Sequence, residues 1–106
     1  MTNFYIKTTQ TVEGIAKIDG TATALDANDI FTLVLKNHID DTDAEAVVTI
    51  TGTLVGGTTG GVLYSFTPED TDIDAGLYYE EIKWVRLTDV YIVETSTVSA
   101  LKRVFD

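Results

Sequence analysis

The sequence predicts an all-β protein, an antiparallel sandwich of about seven strands with one short helical turn. Thr, Val, Ile and Tyr recur along the whole chain, and these residues are enriched in strands. No window of about 11 residues shows the apolar spacing of an amphipathic helix. The chain has 106 residues, which is the size of one domain, and no linker divides it. We therefore expect one domain over residues 1–106.

The clearest early strand is 30–36, in which Phe31, Leu33 and Leu35 alternate onto one apolar face. Clusters of Gly, Asp and Asn separate the strand-like runs, as in all-β folds. The glycine-rich segment 56–61 is predicted as a hairpin connection, and the acidic segment 37–43 as a loop. The other predicted strands are 4–7, 12–18, 44–51, 62–67, 77–87 and 90–98.

The predicted helical turn begins at Thr67. A threonine at the N-cap, Pro68 at the first helical position and the acids Glu69 and Asp70 in the first turn favour a single turn of helix. It would connect the strand before it to the long aromatic strand after it.

A corner is predicted directly before that long strand. Asp74, Gly76 and Tyr78 form the pattern Asp-x-Gly-x-Tyr, which opens strand F of many immunoglobulin-like sandwiches. There the tyrosine hydroxyl ties the corner between the two sheets to nearby backbone. We therefore predict an immunoglobulin-like sandwich with Tyr78 as the tie. Further along the strand, Ile82 and Trp84 are predicted to lie in the core, together with Phe31 and Phe66.

The charge balance limits the partners of the chain. Seven basic and 17 acidic residues give a formal charge of -10, which repels phosphate backbones, so we expect no nucleic-acid partner. No apolar run approaches the roughly 18–20 residues of a membrane span, and no signal peptide is recognisable. We therefore expect no membrane partner. The absence of cysteine excludes disulfides and thiolate metal sites.

One acidic segment resembles a calcium loop. Asp70, Asp72 and Asp74 alternate, and Glu81 follows, as in an EF-hand. The turn glycine belongs at the sixth position, where Ala75 stands, and no amphipathic helices flank the segment. We expect no cofactor and no metal, with these four carboxylates as the candidates if a metal does bind.

No catalytic constellation is apparent. His38 is the only histidine, and no serine has the Gly-x-Ser-x-Gly context of a nucleophile. Glu80 and Glu81 are adjacent, so on a strand they point to opposite faces and do not flank one bond. We therefore expect the protein not to be an enzyme.

The aromatic residues allow two interpretations. On strands they fill the core, or they form a carbohydrate-binding platform. Aromatics near the termini, Phe4, Tyr5 and Phe105, are predicted to be exposed interface residues that dock on a neighbour. The platform candidates are Tyr64, Phe66, Tyr78, Tyr79 and Trp84.

The segment from Val62 to Val98 contains Leu63-Tyr64-Ser65-Phe66-Thr67-Pro68-Glu69-Asp70-Thr71, then Asp74-Ala75-Gly76-Leu77-Tyr78-Tyr79-Glu80-Glu81, then Val90-Tyr91-Ile92-Val93-Glu94. It resembles the small immunoglobulin-like domains of tailed-phage virion proteins, which include the N-terminal domain of the upper baseplate protein family and head-decoration domains.

This resemblance implies a structural protein of the bacteriophage virion. It would decorate or cement a capsid, or link parts of a tail or baseplate, through contacts with other virion proteins or with further copies of itself. The alternative function is a carbohydrate- or receptor-binding sandwich module.

Overall fold

The structure is a computed structural model that describes residues 3–18, 21–56 and 61–102. It confirms the all-β class: the described residues form strands and one short 3-10 helix, Asp43–Glu45. Most of the glycine-rich segment 56–61 and the predicted interface residue Phe105 lie outside the described residues. The strands are β1 Asn3–Tyr5, β2 Gln10–Ile15, β3 Lys17–Ile18, β4 Thr21–Ala22, β5 Ile30–Lys36, β6 Val48–Thr51, β7 Thr53–Gly56, β8 Gly61–Phe66, β9 Gly76–Arg86 and β10 Asp89–Leu101.

These strands form three sheets. A five-stranded sheet, the large sheet, has the order β1-β10-β9-β5-β6, and a three-stranded sheet, the small sheet, has the order β2-β8-β7. Strands β3 and β4 pair with each other. The large sheet is curled into half a barrel. The prediction of purely antiparallel pairing was wrong at one place, because β1 pairs parallel with β10.

The described residues form ten strands, more than the predicted seven, because the predicted strand 12–18 is divided and because β4 and β7 lie outside the predicted strands. Ala16 separates β2 from β3, and it is buried in the core. Gly52 separates β6 from β7, so one stretch of chain pairs first with β5 in the large sheet and then with β8 in the small sheet. Residue 52 therefore marks the point where the chain passes from one sheet to the other.

Close packing at this crossing requires glycine. The Gly52 amide donates a hydrogen bond to the Phe31 carbonyl (2.9 Å). A Cβ atom at position 52 would lie 2.6 Å from Cγ1 of Val62 and 2.9 Å from Cε1 of Tyr64. Both neighbours are buried core side chains with little space to move. Any larger residue at position 52 therefore forces the core apart.

The helical turn is not where the sequence predicts it. Residues 67–71 form a hydrogen-bonded turn, in which the Thr71 amide donates to the Thr67 carbonyl (3.2 Å), without continuing into a helix. The predicted N-cap is present, because the Thr67 amide donates to Oδ2 of Asp70 (2.8 Å) and the Asp70 amide donates to Oγ1 of Thr67 (3.3 Å). The 3-10 helix instead occupies Asp43–Glu45, which the sequence assigned to the end of a loop and the start of a strand.

Alternate residues of β9 line the core. Tyr78, Glu80, Ile82 and Trp84 are buried, while the residues between them are half-buried on the opposite face. Trp84 is fully buried, and its ring lies 5.2 Å from that of Phe31. The predicted core positions are thus confirmed. The core takes side chains from both larger sheets, including Phe31, Leu33, Leu35, Ile82 and Trp84 from the large sheet and Val62, Tyr64 and Phe66 from the small sheet.

Replacing Gly52 by alanine should destabilise the protein by about 1–3 kcal/mol, the range for overpacked cores, measured as a lower midpoint of urea unfolding. Gly14→Ala is the matched control, because a Cβ there meets only Cε2 of Tyr64 at 3.8 Å, an ordinary contact. Equal midpoints for the two variants would contradict the close packing at the crossing.

Candidate functional site

The predicted corner joins the small sheet to the large sheet. The Tyr78 hydroxyl donates a hydrogen bond to the Asp74 carbonyl (2.6 Å), which is the tie that the Asp-x-Gly-x-Tyr pattern predicts. Gly76 has a φ of 152°, a conformation that side chains disfavour. Burial, followed by the nearby Asp74 charge, raises the pKa of the Tyr78 hydroxyl above its ordinary value. Tyr78 therefore stays protonated and able to donate.

The four acidic candidates for a metal site do not converge. Asp70 accepts the hydrogen bond of the Thr67 cap, Asp72 and Asp74 are exposed, and Glu81 lies on β9 with its Oε1 3.9 Å from Nζ of Lys36. Among residues 3–18, 21–56 and 61–102, no group of three or more His, Asp or Glu is placed to hold a metal ion.

The N-terminal strand belongs to the core of the protein. Phe4 is only 2 % exposed, so its prediction as an exposed interface residue was wrong. It is buried because β1 pairs with the end of β10. The strand is further fixed where the Lys7 amide donates to the Thr71 carbonyl (3.1 Å) and the Thr8 amide donates to Oγ1 of Thr71 (2.8 Å). Of the predicted interface residues that the structure describes, Tyr5 alone is exposed.

Most aromatic residues of the predicted carbohydrate platform are also buried. Tyr64, Phe66, Tyr78 and Trp84 all belong to the hydrophobic core, and Tyr79 is half-buried. These residues therefore form no exposed aromatic stripe.

The structure also reveals an ion pair between a buried carboxylate and a half-buried arginine, which was not predicted from the sequence. Asp29 is 7 % exposed, and it accepts from Nε of Arg86 (2.9 Å) and from Nη2 of Arg86 (2.7 Å). The same Nη2 donates to the Ala24 carbonyl (2.8 Å), and the guanidinium lies 4.9 Å from the centre of the Trp84 ring. The pair thus fixes the loop before β5 to the end of β9.

This pairing lowers the pKa of Asp29 to about 2, mainly through the hydrogen bond from Arg86, which outweighs the opposing effect of burial. The indole Nε1 of Trp84 makes no hydrogen bond of normal geometry. Its interaction with the Asp29 carboxylate nevertheless also lowers the pKa of Asp29. The sequence signal for this ion pair was Arg86, at the end of the inward-facing row of β9 side chains. A charged group near the core requires a partner of opposite charge.

An apolar surface covers one end of the outer face of the large sheet, the face that points away from the core. Strand register aligns Ile30, Val85 and Val90 in one row across β5, β9 and β10. Ile30 is 55 % exposed and Val90 is 59 % exposed, while Ile92 on the same face is 54 % exposed. We call this surface, together with Leu87 at the tip of the β9–β10 hairpin, the hairpin patch.

Leu87 is the most exposed large apolar residue of the described part, at 87 %. Its φ is 54°, in the left-handed region that glycine and asparagine adopt more easily. A leucine there brings both backbone strain and exposed apolar surface, and such departures are concentrated at functional positions. The predicted strands 77–87 and 90–98 leave a short connection here, but the patch itself was not predicted.

The other end of the outer face is charged. Nζ of Lys36 lies 3.0 Å from Oδ1 of Asp43, and Nζ of Lys83 lies 2.6 Å from Oδ2 of the same carboxylate. The two lysines hold the pKa of Asp43 below its ordinary value, Lys83 most strongly. The hydrogen bond to Asp43 raises the pKa of Lys36. The 3-10 helix thereby positions its first acid between two cations of the sheet.

Comparison with known protein families finds no match to this chain, and comparison with curated proteins finds none either. In the described residues, no helix has the length and apolar character needed to cross a membrane.

The corner bond can be tested with Tyr78→Phe, which removes the hydroxyl and keeps the ring. We expect a loss of about 0.5–1.5 kcal/mol in the free energy of unfolding, the net value of one hydrogen bond. Tyr79→Phe serves as the control, since its hydroxyl makes no hydrogen bond with the described residues. A loss no larger than that of the control would argue against the tie.

The Asp29–Arg86 pair should make the free energy of unfolding depend on pH in the acidic range. The carboxyl has an ordinary pKa of 3.8 and a folded pKa of about 2. Its contribution, about 2 kcal/mol at about 1.4 kcal/mol per pKa unit, is therefore complete above about pH 4 and is lost as the pH falls toward 2.

The measurement is the free-energy cost of Asp29→Asn by urea unfolding at about pH 6 and about pH 2. This cost should fall by about 2 kcal/mol at the lower pH. Arg86→Gln and the double variant complete a double-mutant cycle, whose coupling energy should exceed about 0.5 kcal/mol. A cost that does not change with pH would show that the pair does not lower the carboxyl pKa.

Proposed function

We propose that this protein is a non-enzymatic structural component of a phage virion that binds other virion proteins through the hairpin patch. The observation that carries the proposal is the patch itself: several apolar side chains, four of them more than half exposed, lie together on the outer face of a sheet and at the tip of its hairpin. Contiguous exposed apolar surface in a folded domain is typical of a protein-interaction site.

The proposal includes an immunoglobulin-like sandwich as the scaffold. In such folds one sheet has strands B, E and D, and the other has G, F and C with an added C′ strand. The small sheet order β2-β8-β7 and the large sheet order β10-β9-β5-β6 support this assignment, because each strand then takes its position in chain order. The Tyr78–Asp74 bond at the start of β9 supports it as well.

The rigidity of the patch suits a docking role. Apart from Leu87 in the turn, its residues lie on three paired strands, so their positions are fixed by backbone hydrogen bonds before any partner binds. A preorganised surface loses less conformational entropy on binding than a flexible loop does. A decoration, cement or baseplate-linking protein needs a rigid contact surface of this kind.

The distribution of charge agrees with assembly inside a virion. The net charge of -10 opposes binding to packaged nucleic acid, while the hairpin patch consists of uncharged side chains. The buried aromatic residues remove the main support for the carbohydrate-binding alternative.

The test compares two valine-to-lysine variants at positions of similar exposure, Val90 at 59 % in the patch and Val55 at 55 % on β7 of the small sheet. Val90→Lys should weaken co-sedimentation with purified capsids or tails of the phage that encodes the chain by tenfold or more, about 1.4 kcal/mol. Val55→Lys should bind like the parent protein.

Thermal melting of both variants is the folding control, since both substitutions are on the surface and should leave the melting temperature nearly unchanged. Failure of the parent protein to sediment with any of these particles would overturn the virion proposal. Equal weakening by both variants would remove the hairpin patch as the contact surface.

A further inference from the structure

One stretch of β10 has a backbone edge with which no described strand pairs. β1 pairs only with Ser99 to Leu101 at the end of this strand, and the register with β9 shifts between Ile92 and Glu94. Between these two features, residues 94–98 pair regularly with β9 on one side, and no strand of the described residues pairs with them on the other. Alternate amides and carbonyls along 94–98 therefore have no partner among the described strands.

This edge has little of the protection that proteins usually place on exposed strands: a bulge precedes it, and Glu94 is its one charged residue. The edge strands β6 and β7 are protected by their short length of four residues each. The edge strand β2 is protected by the charge of Glu13. In contrast, the remainder of the stretch, 95–98, is part of the longest strand and contains no charged residue and no proline. Its outer-face side chains, Thr95 and Thr97, are small, uncharged and exposed. The stretch is therefore suited to accept another strand.

A groove lies beside this edge on the outer face. Its volume is about 410 Å³, within the range of about 300–1,000 Å³ that is common for binding sites. Thr95 and Thr97 belong to both the edge and the groove, so a strand paired with 94–98 would place alternate side chains over the groove. The groove is lined mainly by Lys36, Ile39, Tyr79, Glu81, Thr95 and Thr97.

The charge around the groove favours a basic occupant. Lys36 and Lys83, the nearest cations, are both paired with Asp43. Glu81 lines the groove with its Oε1 3.9 Å from Nζ of Lys36. The charge of Asp41 in the loop after β5 also acts on Lys36, so the carboxylates of Asp43, Glu81 and Asp41 outnumber the two lysines. A second copy of the chain would bring a further charge of -10, which disfavours self-association here.

We propose that the 94–98 edge of β10 binds an extended basic segment of a partner protein by strand addition, with its lysine or arginine side chains in the adjacent groove. Backbone hydrogen bonds to 94–98 supply affinity, and the carboxylates around the groove select for positive charge. This site is separate from the hairpin patch, at the other end of the same face, and it does not depend on the virion proposal.

The test uses an octapeptide of alternating lysine and valine, with an octapeptide of alternating glutamate and valine as the charge control. Binding is measured by calorimetry, and the bound backbone is located by amide hydrogen exchange. The lysine peptide should protect alternate amides within 94–98 and bind at least about tenfold more tightly than the glutamate peptide. Added salt should weaken its binding.

Two substitutions at one exposed position sharpen the test. Thr97→Lys should weaken binding of the lysine peptide, and Thr97→Glu should strengthen it, each by roughly three- to tenfold. Val90→Lys, in the hairpin patch, should leave the peptide affinity unchanged, which separates this site from the docking surface proposed above.

Three results would overturn the proposal. The first is the absence of protection within 94–98 when the lysine peptide is present at saturating concentration. The second is equal affinity for both peptides. The third is a stable dimer of the protein alone, seen by analytical ultracentrifugation, in which the amides of 94–98 are already protected, because a second copy would then be the occupant.

Discussion

The register of β9 is the constraint on which the rest of the structure depends. β9 is hydrogen-bonded to β10 on one side and to β5 on the other, and a shift by one residue would move every side chain to the opposite face. The inward row is held at both ends. Tyr78 binds the Asp74 carbonyl at the start, and Arg86 binds Asp29 at the end, with the buried Trp84 between them. Both proposed contact surfaces exist only because this register is fixed.

The outer face of the large sheet is apolar at one end of its strands and charged at the other end. Uncharged apolar side chains occupy the hairpin end, where a partner surface would exclude water from them. Carboxylates and paired lysines occupy the other end, beside the 94–98 edge of β10. Two contacts of different character, one apolar and one with complementary charge, are therefore available on one rigid sheet. A module with two such contacts is able to join two neighbours in an assembly.

The features that sequence analysis predicted correctly are local ones. The corner spans five residues from Asp74 to Tyr78, and its hydrogen bond is a property of that short pattern. The alternation of buried residues in β9 and the inward row Phe31, Leu33 and Leu35 of β5 follow from the period of a strand. The features that it missed depend on distant partners. Phe4 is buried because the first strand pairs with the last one, and Asp29 and Arg86 are separated by 57 residues.

The hairpin patch was missed for the same reason, since its row exists only when three strands are in register. The acidic residues between Asp70 and Glu81 show the converse: spacing along the chain suggested convergence, but the turn after β8 and the alternation of β9 direct the carboxylates apart. Spacing is informative within one element, and it loses its value where the chain changes direction.

Site-specific photo-crosslinking within assembled virions tests the central claim most directly. A photoreactive amino acid is placed at Val90 on the outer face of the large sheet, and in a second variant at Ser65, which is exposed on β8 of the small sheet. We expect crosslinks to a defined virion protein from position 90 and none from position 65. Crosslinks from position 65 alone would contradict it, because the contact surface would then lie on the opposite side of the molecule.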